Sequence, residues 1–199
     1  MHSEHTLVYV MLMTAKPASK PRLGRRDWLD VALAELAAGG INDISIEKLA
    51  DRLGVTRGSF YHHFQNREEL LSAMLDYWVE HWTEDIRTTL VALRLDARQT
   101  LLAMIRLIRE RKAADYDVVF RAWALHDPLA HKVVKRVDDI RLGYIRSLFT
   151  QLGFDDLEAE NRARLLLYYE MAEPAMFASQ KMETREQLIE ARAKLLTTV

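Results

Sequence analysis

The sequence predicts an all-α protein: an N-terminal three-helix helix-turn-helix domain followed by a C-terminal helical bundle. Two observations carry this prediction. No proline stands between Pro21 and Pro128, and no glycine between Gly58 and Gly143. Apolar residues recur at three- and four-residue spacing throughout, and no stretch alternates as a strand would.

The first helix is expected from about Arg25 to Ala38, with Leu29, Ala32, Leu33 and Leu36 on one face and Gly39-Gly40 ending it. The second, about two turns long, starts behind Ser45 as N-cap, carries Ile46, Leu49, Ala50 and Leu53, and stops at Gly54. Thr56 is the N-cap of a third, short segment running through Phe64, in which Phe60 and Phe64 join Leu49 and Leu53 as core. Asn66, with Glu69 three positions on, resembles a capping box and opens a long helix whose stripe is Leu71, Leu75, Trp78, Trp82, Ile86 and Leu90. Four or five more helices follow. Asp127-Pro128 sets an N-cap before proline at the first helical position, and Val133, Val137, Ile140, Tyr144 and Leu148 lead from it toward Gly153. Asp155 with Glu158, and Thr184 with Gln187, open the last two.

The chain of 199 residues is 49% apolar, enough for a packed core and too much for intrinsic disorder. The absence of cysteine excludes disulfide scaffolds, cysteine-ligated zinc and thiol catalysis, and agrees with a cytoplasmic protein. The longest apolar run, Leu7 to Met13, is far shorter than the roughly 20 residues of a membrane span. With Glu4 before it, it also makes a poor signal peptide, and Met11 or Met13 is an alternative start. No membrane partner is expected.

The net charge of −1 hides an asymmetry. Residues 1–67 hold 9 basic and 7 acidic groups, residues 68–199 hold 19 and 22. Lys16, Lys20, Arg22, Arg25 and Arg26 follow one another without an acid between Glu4 and Asp27, as in a flexible basic arm that tracks a polyanion.

Two short helices separated by a tight Gly-Val turn are the pattern of a helix-turn-helix reader. In such a module the last helix enters the major groove by its N-terminal end, which must offer small or hydrogen-bonding side chains. Thr56, Arg57, Gly58 and Ser59 meet that need: Arg57 pairs bidentately with guanine, Ser59 bonds either base type, and Gly58 leaves room. Tyr61, His62 and His63, a turn later, donate to phosphates. Neighbours on a helix point about 100° apart, so His62 and His63 do not share a metal ion.

The run from Leu33 to Leu71 resembles the DNA-binding domain of the TetR (tetracycline-repressor-like) regulators. Gly54-Val55-Thr56-Arg57-Gly58-Ser59-Phe60-Tyr61-His62-His63-Phe64, with Asn66-Arg67-Glu68-Glu69-Leu70 after it, carries the likeness. The resemblance implies a homodimer on a palindromic operator in double-stranded DNA, with C-terminal helices that dimerise and enclose an effector pocket. It also implies phosphate contacts from Tyr61, His63 and Arg67, and base reading by Arg57, Ser59 and His62. The candidate DNA-binding residues are therefore Ser45, Thr56, Arg57, Gly58, Ser59, Tyr61, His62, His63 and Arg67. The organisation expected is a flexible arm over 1–21, a DNA-binding domain over 22–82 with its motif at 45–64, and an effector-binding and dimerisation domain over 83–199.

The second domain is rich in large adaptable side chains. Trp78, Trp82, Met104, Phe120, Trp123 and Tyr169 are the candidates for lining a pocket that takes a small apolar or aromatic effector. The run Leu165 to Ala178 reads as buried nearly all round, interrupted by Glu170 and Glu173; these acids are solvated at a rim, or pair with Arg162, Arg164 or a cationic effector. Pro174 kinks or divides the run. His126 is either a polar pocket group or a helix-end contact. Asp156 to Ala178 and Thr184 to Leu196 are expected to dimerise through Leu165, Leu166, Tyr169, Ala172, Met176, Leu188 and Leu195. No Glu-x-x-His pair, His-Glu-x-x-His, phosphate loop or dinucleotide fingerprint occurs, so no catalytic residue, metal or cofactor is assigned. An all-α protein-interaction module is the alternative, and it leaves the polar edge from Thr56 to His63 unexplained.

Overall fold

A computed structural model describes residues 23–176 and 182–198; the arm over 1–21, with Lys16 and Lys20, and Arg22 after it lie outside them. All regular structure among the described residues is helical. Helix α1 (Arg25–Gly39) buries Trp28, Leu29, Ala32, Leu33 and Leu36, and Gly40 closes it with φ +80°. At Gly39 a Cβ would lie 1.9 Å from the Asp43 carboxylate, so a larger residue there must displace that exposed side chain. Helix α2 (Ile46–Leu53) starts at Ser45, whose Oγ accepts the Lys48 N–H. Gly54 then turns the chain at φ +66°, in the left-handed region that favours glycine. The N–H of Val55 donates to the Ala50 carbonyl at 3.0 Å and closes the turn.

Helix α3 (Arg57–Phe60) is a single turn, continued by non-helical turns to Phe64 rather than by helix. Thr56 precedes it without a side-chain cap. Helix α4 (Arg67–Val79) opens at Asn66, whose Oδ1 accepts the Glu69 N–H at 2.8 Å; Glu69 reaches back to the Gln65 N–H at 2.7 Å, one residue short of a capping box. A π-helical turn, Glu80–Glu84, joins α4 to α5 (Asp85–Ala92). The bundle continues with α6 (Ala97–Glu110), α7 (Ala113–Ala124), α8 (Pro128–Gln151) and α9 (Asp156–Ala172), then a 3-10 turn, Glu173–Ala175, and α10 (Met182–Thr197). Asp127 caps α8 and Asp155 caps α9, as their spacing predicts. Thr184 does not open the last helix, which is already under way at Met182.

The interior forms two apolar clusters. One joins α1 to α4 and takes in Phe120 and Trp123 from α7 and Val134 and Val137 from α8. The other fills the bundle with Leu101, Ile105, Phe149, Phe154, Leu166 and Ile189. Phe60, Phe64 and Leu49 are buried in the first and Leu53 packs against it. That first core does not stop at residue 82: Trp78 of α4 stacks on Phe120 of α7 with centroids 4.7 Å apart, both rings fully buried. Trp82, in the π turn, packs against both clusters. Among the described residues no helix is long and apolar enough to cross a membrane.

Candidate nucleic-acid interface

The α2–turn–α3 unit leaves the start of α3 open to solvent. Thr56, Arg57, Gly58, Tyr61 and His62 are exposed, while Ser59, His63 and Ser45 are half-buried. Phe60 between them is buried against Trp28 and Phe64, so the core fixes the side from which the polar residues project. Arg57 meets Glu47 at 2.9 Å; with both side chains more than half exposed, this pair holds the guanidinium loosely. Ser45 has its Oγ engaged on the Lys48 N–H.

Ion pairs brace the unit from behind. Glu35 of α1 has a fully buried carboxylate, 2.7 Å from Lys48 Nζ and 2.5 Å from Arg52 Nε, which pins α2 to α1. Arg25 belongs to α1 rather than to a loose arm: its Nη1 donates to the His63 carbonyl at 2.6 Å and to Glu69 at 2.9 Å, with the guanidinium over the Phe64 ring. The Gln65 N–H, and then Arg25, hold the Glu69 carboxyl below its ordinary pKa. Arg26 lies over the Tyr77 ring and reaches His81.

Arg67 is placed differently from what the resemblance implies. Its Nε donates to the Ile44 carbonyl at 2.8 Å and its Nη2 to the Ile41 carbonyl at 2.9 Å. The fork that would face a phosphate instead ties the start of α4 to the loop before α2.

A cavity of about 50 Å³, opening into a larger cleft of about 510 Å³ that includes solvent at its mouth, lies where α5 to α9 converge below the π turn. Apolar walls come from Trp82, Ile86, Leu90, Met104, Ile108, Ala113, Ile140, Ile145, Leu167 and Met171; the polar members are Thr83, Arg87, Asp117, Arg141 and Tyr144. Of the six expected lining residues, Trp82 and Met104 stand in this wall. Trp78, Phe120 and Trp123 do not: they are enclosed in the first core. Tyr169 lies on the outer side of α9, its ring 3.8 Å from the Arg192 guanidinium. Helical spacing marks an aromatic ring as inward, without saying which neighbour it meets. His126 is exposed and lies outside the cavity.

Arg141 organises the polar end of the cavity. Its Nη1 donates to Asp117 Oδ2 at 2.6 Å, its Nε to Thr83 Oγ1 at 3.1 Å and its Nη2 to the Trp82 carbonyl at 3.1 Å, within the π turn. Asp117 is fully buried, and among the described residues nothing donates to its Oδ1. These residues escaped the sequence reading, although Arg141 follows Val137 by four positions on the inward stripe of α8 and so carried a visible signal.

Glu170 and Glu173 are not solvated at a rim. Glu170 is 1% exposed and bonded to Arg192 at 2.8 Å with Arg109 at 3.6 Å, while Arg109 also meets Glu173. Burial pushes the Glu170 carboxyl above its ordinary pKa, against the pull of both arginines. Arg162 and Arg164 are engaged elsewhere, on the Leu196 carbonyl and on Glu160 and Tyr168. Nor is the run from Leu165 onward buried all round: Leu165 and Tyr168 are more than half exposed, whereas Leu166 is 1% exposed and packs within its own chain.

A helix-turn-helix head with an open polar edge, carried by a helical bundle with an apolar cavity, defines the class of DNA-binding regulators with a sensing domain. Residues 29–74 match the bacterial regulatory proteins of the tetR family. The chain is 30% identical over 153 residues to the HTH-type transcriptional repressor KstR2 of Rhodococcus jostii, covering 74% of this chain and 71% of that protein. It is 28% identical over 127 residues to the HTH-type transcriptional regulator BetI of Pectobacterium carotovorum, covering 59% of this chain and 63% of that one. Among solved structures, AibR in complex with isovaleryl coenzyme A and operator DNA superposes with a TM-score of 0.68 at 18% identity, over 87% of this chain and 97% of that one. A transcriptional regulator from Rhodococcus sp. Rha1 gives 0.66 at 19% identity, over 87% and 96%. The chain belongs to the TetR family of DNA-binding transcriptional regulators.

Proposed function

We propose that the chain is a cytoplasmic repressor that grips a palindromic operator as a homodimer and leaves it when a small apolar or aromatic molecule fills the cavity. One observation carries this reading: α4 starts beside the reading edge at Asn66 and runs through the π turn into α5, so the two ends of one helical rod belong to reading head and cavity wall. In this reading Arg57, Ser59 and His62 meet base edges, Arg57 as the bidentate partner of a guanine. Tyr61 and His63 hold phosphates, with Thr56 and Gly58 allowing close approach. Arg67 acts on the head indirectly, by fixing the loop before α2. Residues 22–82 supply the reading head and 83–199 the sensing and dimerising part. AibR, which shares the fold, has been seen with isovaleryl coenzyme A and operator DNA in one complex, which supports a small-molecule site and a DNA site within one such fold.

Dimerisation is read from apolar side chains on the outside of the last two helices. Leu157, Leu165 and Tyr168 of α9 and Leu188 and Leu195 of α10 are all 40% exposed or more and recur at helical spacing. A symmetric pairing of these faces buries them and sets the two heads at a fixed distance. Two recognition helices must stand about 34–36 Å apart to meet successive major grooves, so a pivot of α4 that alters this span releases DNA. The coupling needed is modest, about 1–3 kcal/mol.

Selection of bound duplexes from random DNA by the full chain, followed by a screen for compounds that release the enriched duplex, tests the reading. The expected outcome is a two-fold symmetric consensus and at least one releasing compound. Failure to enrich any sequence contradicts it.

A further inference from the structure

The cavity is more selective than its apolar walls suggest. Its polar groups are paired off in charge: Arg141 with Asp117 at 2.6 Å, and Arg87 with Glu84 at 3.0 Å. Tyr144 adds a phenol whose pKa burial raises, so it stays neutral. Arg87 is nearly half exposed and only loosely paired, but a charged group buried beyond it meets no uncompensated counter-charge and loses its hydration. Arg141 offers no two-pronged grip on an anion either, because four of its five N–H groups already donate, to Asp117, Thr83, the Trp82 carbonyl and the Met171 sulfur.

One buried polar atom of the lining is without a partner among the described residues. Asp117 is fully buried in the cavity wall, its Oδ2 accepts from Arg141, and its Oδ1 accepts from nothing among the described residues. A buried acceptor left unmade is costly, and the low local dielectric magnifies that cost. A ligand that brings one donor into the cavity removes it. Asp117 presents no surface to the cavity as it stands, so a donor reaches Oδ1 by a small shift of the side chain that keeps the Oδ2 bond to Arg141.

We infer that the effector is an electrically neutral molecule with an apolar body and one hydrogen-bond donor, a hydroxyl or an amide N–H, which bonds the Asp117 carboxylate. This rests on the reading of the cavity as the effector site. It specifies a chemistry that cavity size and apolar lining alone do not: carboxylic acids and organic cations of the same shape are rejected. It also gives the bound donor a route to the head. Asp117 and the Trp82 carbonyl share the Arg141 guanidinium, so a ligand that draws on Asp117 shifts the group bonded to the π turn of the α4–α5 rod.

The test uses four probes with one ring system: 1-naphthol, naphthalene, 1-naphthoate and 1-naphthylmethylammonium. Each is titrated into the full chain by tryptophan fluorescence, since Trp82 stands in the wall, and by thermal shift. The naphthol should bind about threefold to tenfold more tightly than naphthalene, the increment of one net hydrogen bond, and both should exceed the two ions. Asp117→Asn replaces the acceptor pair by one acceptor and one donor; it should abolish the naphthol advantage and favour 1-acetylnaphthalene, which accepts. If that variant fails to fold, the order of the four probes on the unaltered chain still decides. Tightest binding by the naphthoate or the ammonium, or equal binding by naphthol and naphthalene, overturns the inference and leaves the cavity as a binding site. Failure of every probe to bind overturns the cavity reading along with it.

Discussion

Arg67 shows how a single guanidinium separates holding a domain together from holding DNA. With its fork on the Ile41 and Ile44 carbonyls, Arg67→Ala should lower the unfolding free energy by about 1–3 kcal/mol, the range for two part-buried hydrogen bonds from a charged donor. Arg67→Lys should recover little, because an ammonium lacks the two-pronged geometry. Urea denaturation checks the loss, and the salt dependence of DNA binding checks its origin. A structural role leaves the salt slope of the folded variant unchanged, whereas loss of a phosphate contact reduces it by about one. Arg57 is the opposite case: exposed, and held among the described residues only by exposed Glu47, it exchanges partners readily. Arg57→Ala should cost about 1–3 kcal/mol per half-site and relax preference at one operator position, while Tyr61→Phe weakens all sequences alike. Competition binding against single-base operator variants distinguishes the two patterns. The identity of the reading edge was legible because Thr56 to His63 puts polar residues around an apolar Phe60 in an unmistakable order. What Arg67 bonds was not, since its two acceptors are backbone carbonyls 23 and 26 residues away.

At the scale of the element, boundaries were legible at the caps Ser45, Asn66, Asp127 and Asp155, whereas Asp96, which caps α6 in a full capping box with Gln99, went unread. The π turn at Glu80–Glu84 was not legible, because the stripe Trp78, Trp82, Ile86 keeps ordinary helical spacing across it. That turn aligns Trp82 and Thr83 with the cavity, as π turns inside α-helices often do at functional sites. Trp82→Ala should therefore weaken effector response and spare operator binding, measured by anisotropy with and without a releasing compound. Trp123→Ala belongs to the other core and should instead destabilise the fold by about 3–5 kcal/mol. Glu170 links α9 to α6 and α10 through Arg109 and Arg192, and its raised pKa has a definite sign. An acid that binds its proton more tightly when folded contributes stability at low pH, and that contribution is lost as pH rises from the ordinary 4.5 through the folded value. The stability of the unaltered chain relative to Glu170→Gln should fall as pH rises through that window, as urea midpoints at matched salt will report. A flat or rising difference contradicts the assignment.

The whole molecule is two cores bridged by Trp82 of the π turn between α4 and α5 and by α7 and α8, with an apolar face left over on α9 and α10. The three-helix head and the helical character of the rest were legible from glycine, proline and apolar spacing. The sharing of α7 and α8 between the cores was not, because spacing within a helix does not say which partner each end meets. Paired substitutions Leu165→Glu and Leu195→Glu should yield a folded monomer by sedimentation that has lost most affinity for a two-half-site operator; a variant that stays dimeric contradicts the assigned face. The central claim is that the open edge of α3 reads duplex DNA, and the affinity of the full chain for a selected duplex and a scrambled one, followed across salt concentration, tests it most directly. The account predicts log affinity falling linearly with log salt for both duplexes, with the selected one held at least about 10³-fold more tightly at physiological salt. Equal affinity for the two, or binding that salt leaves unchanged, contradicts it.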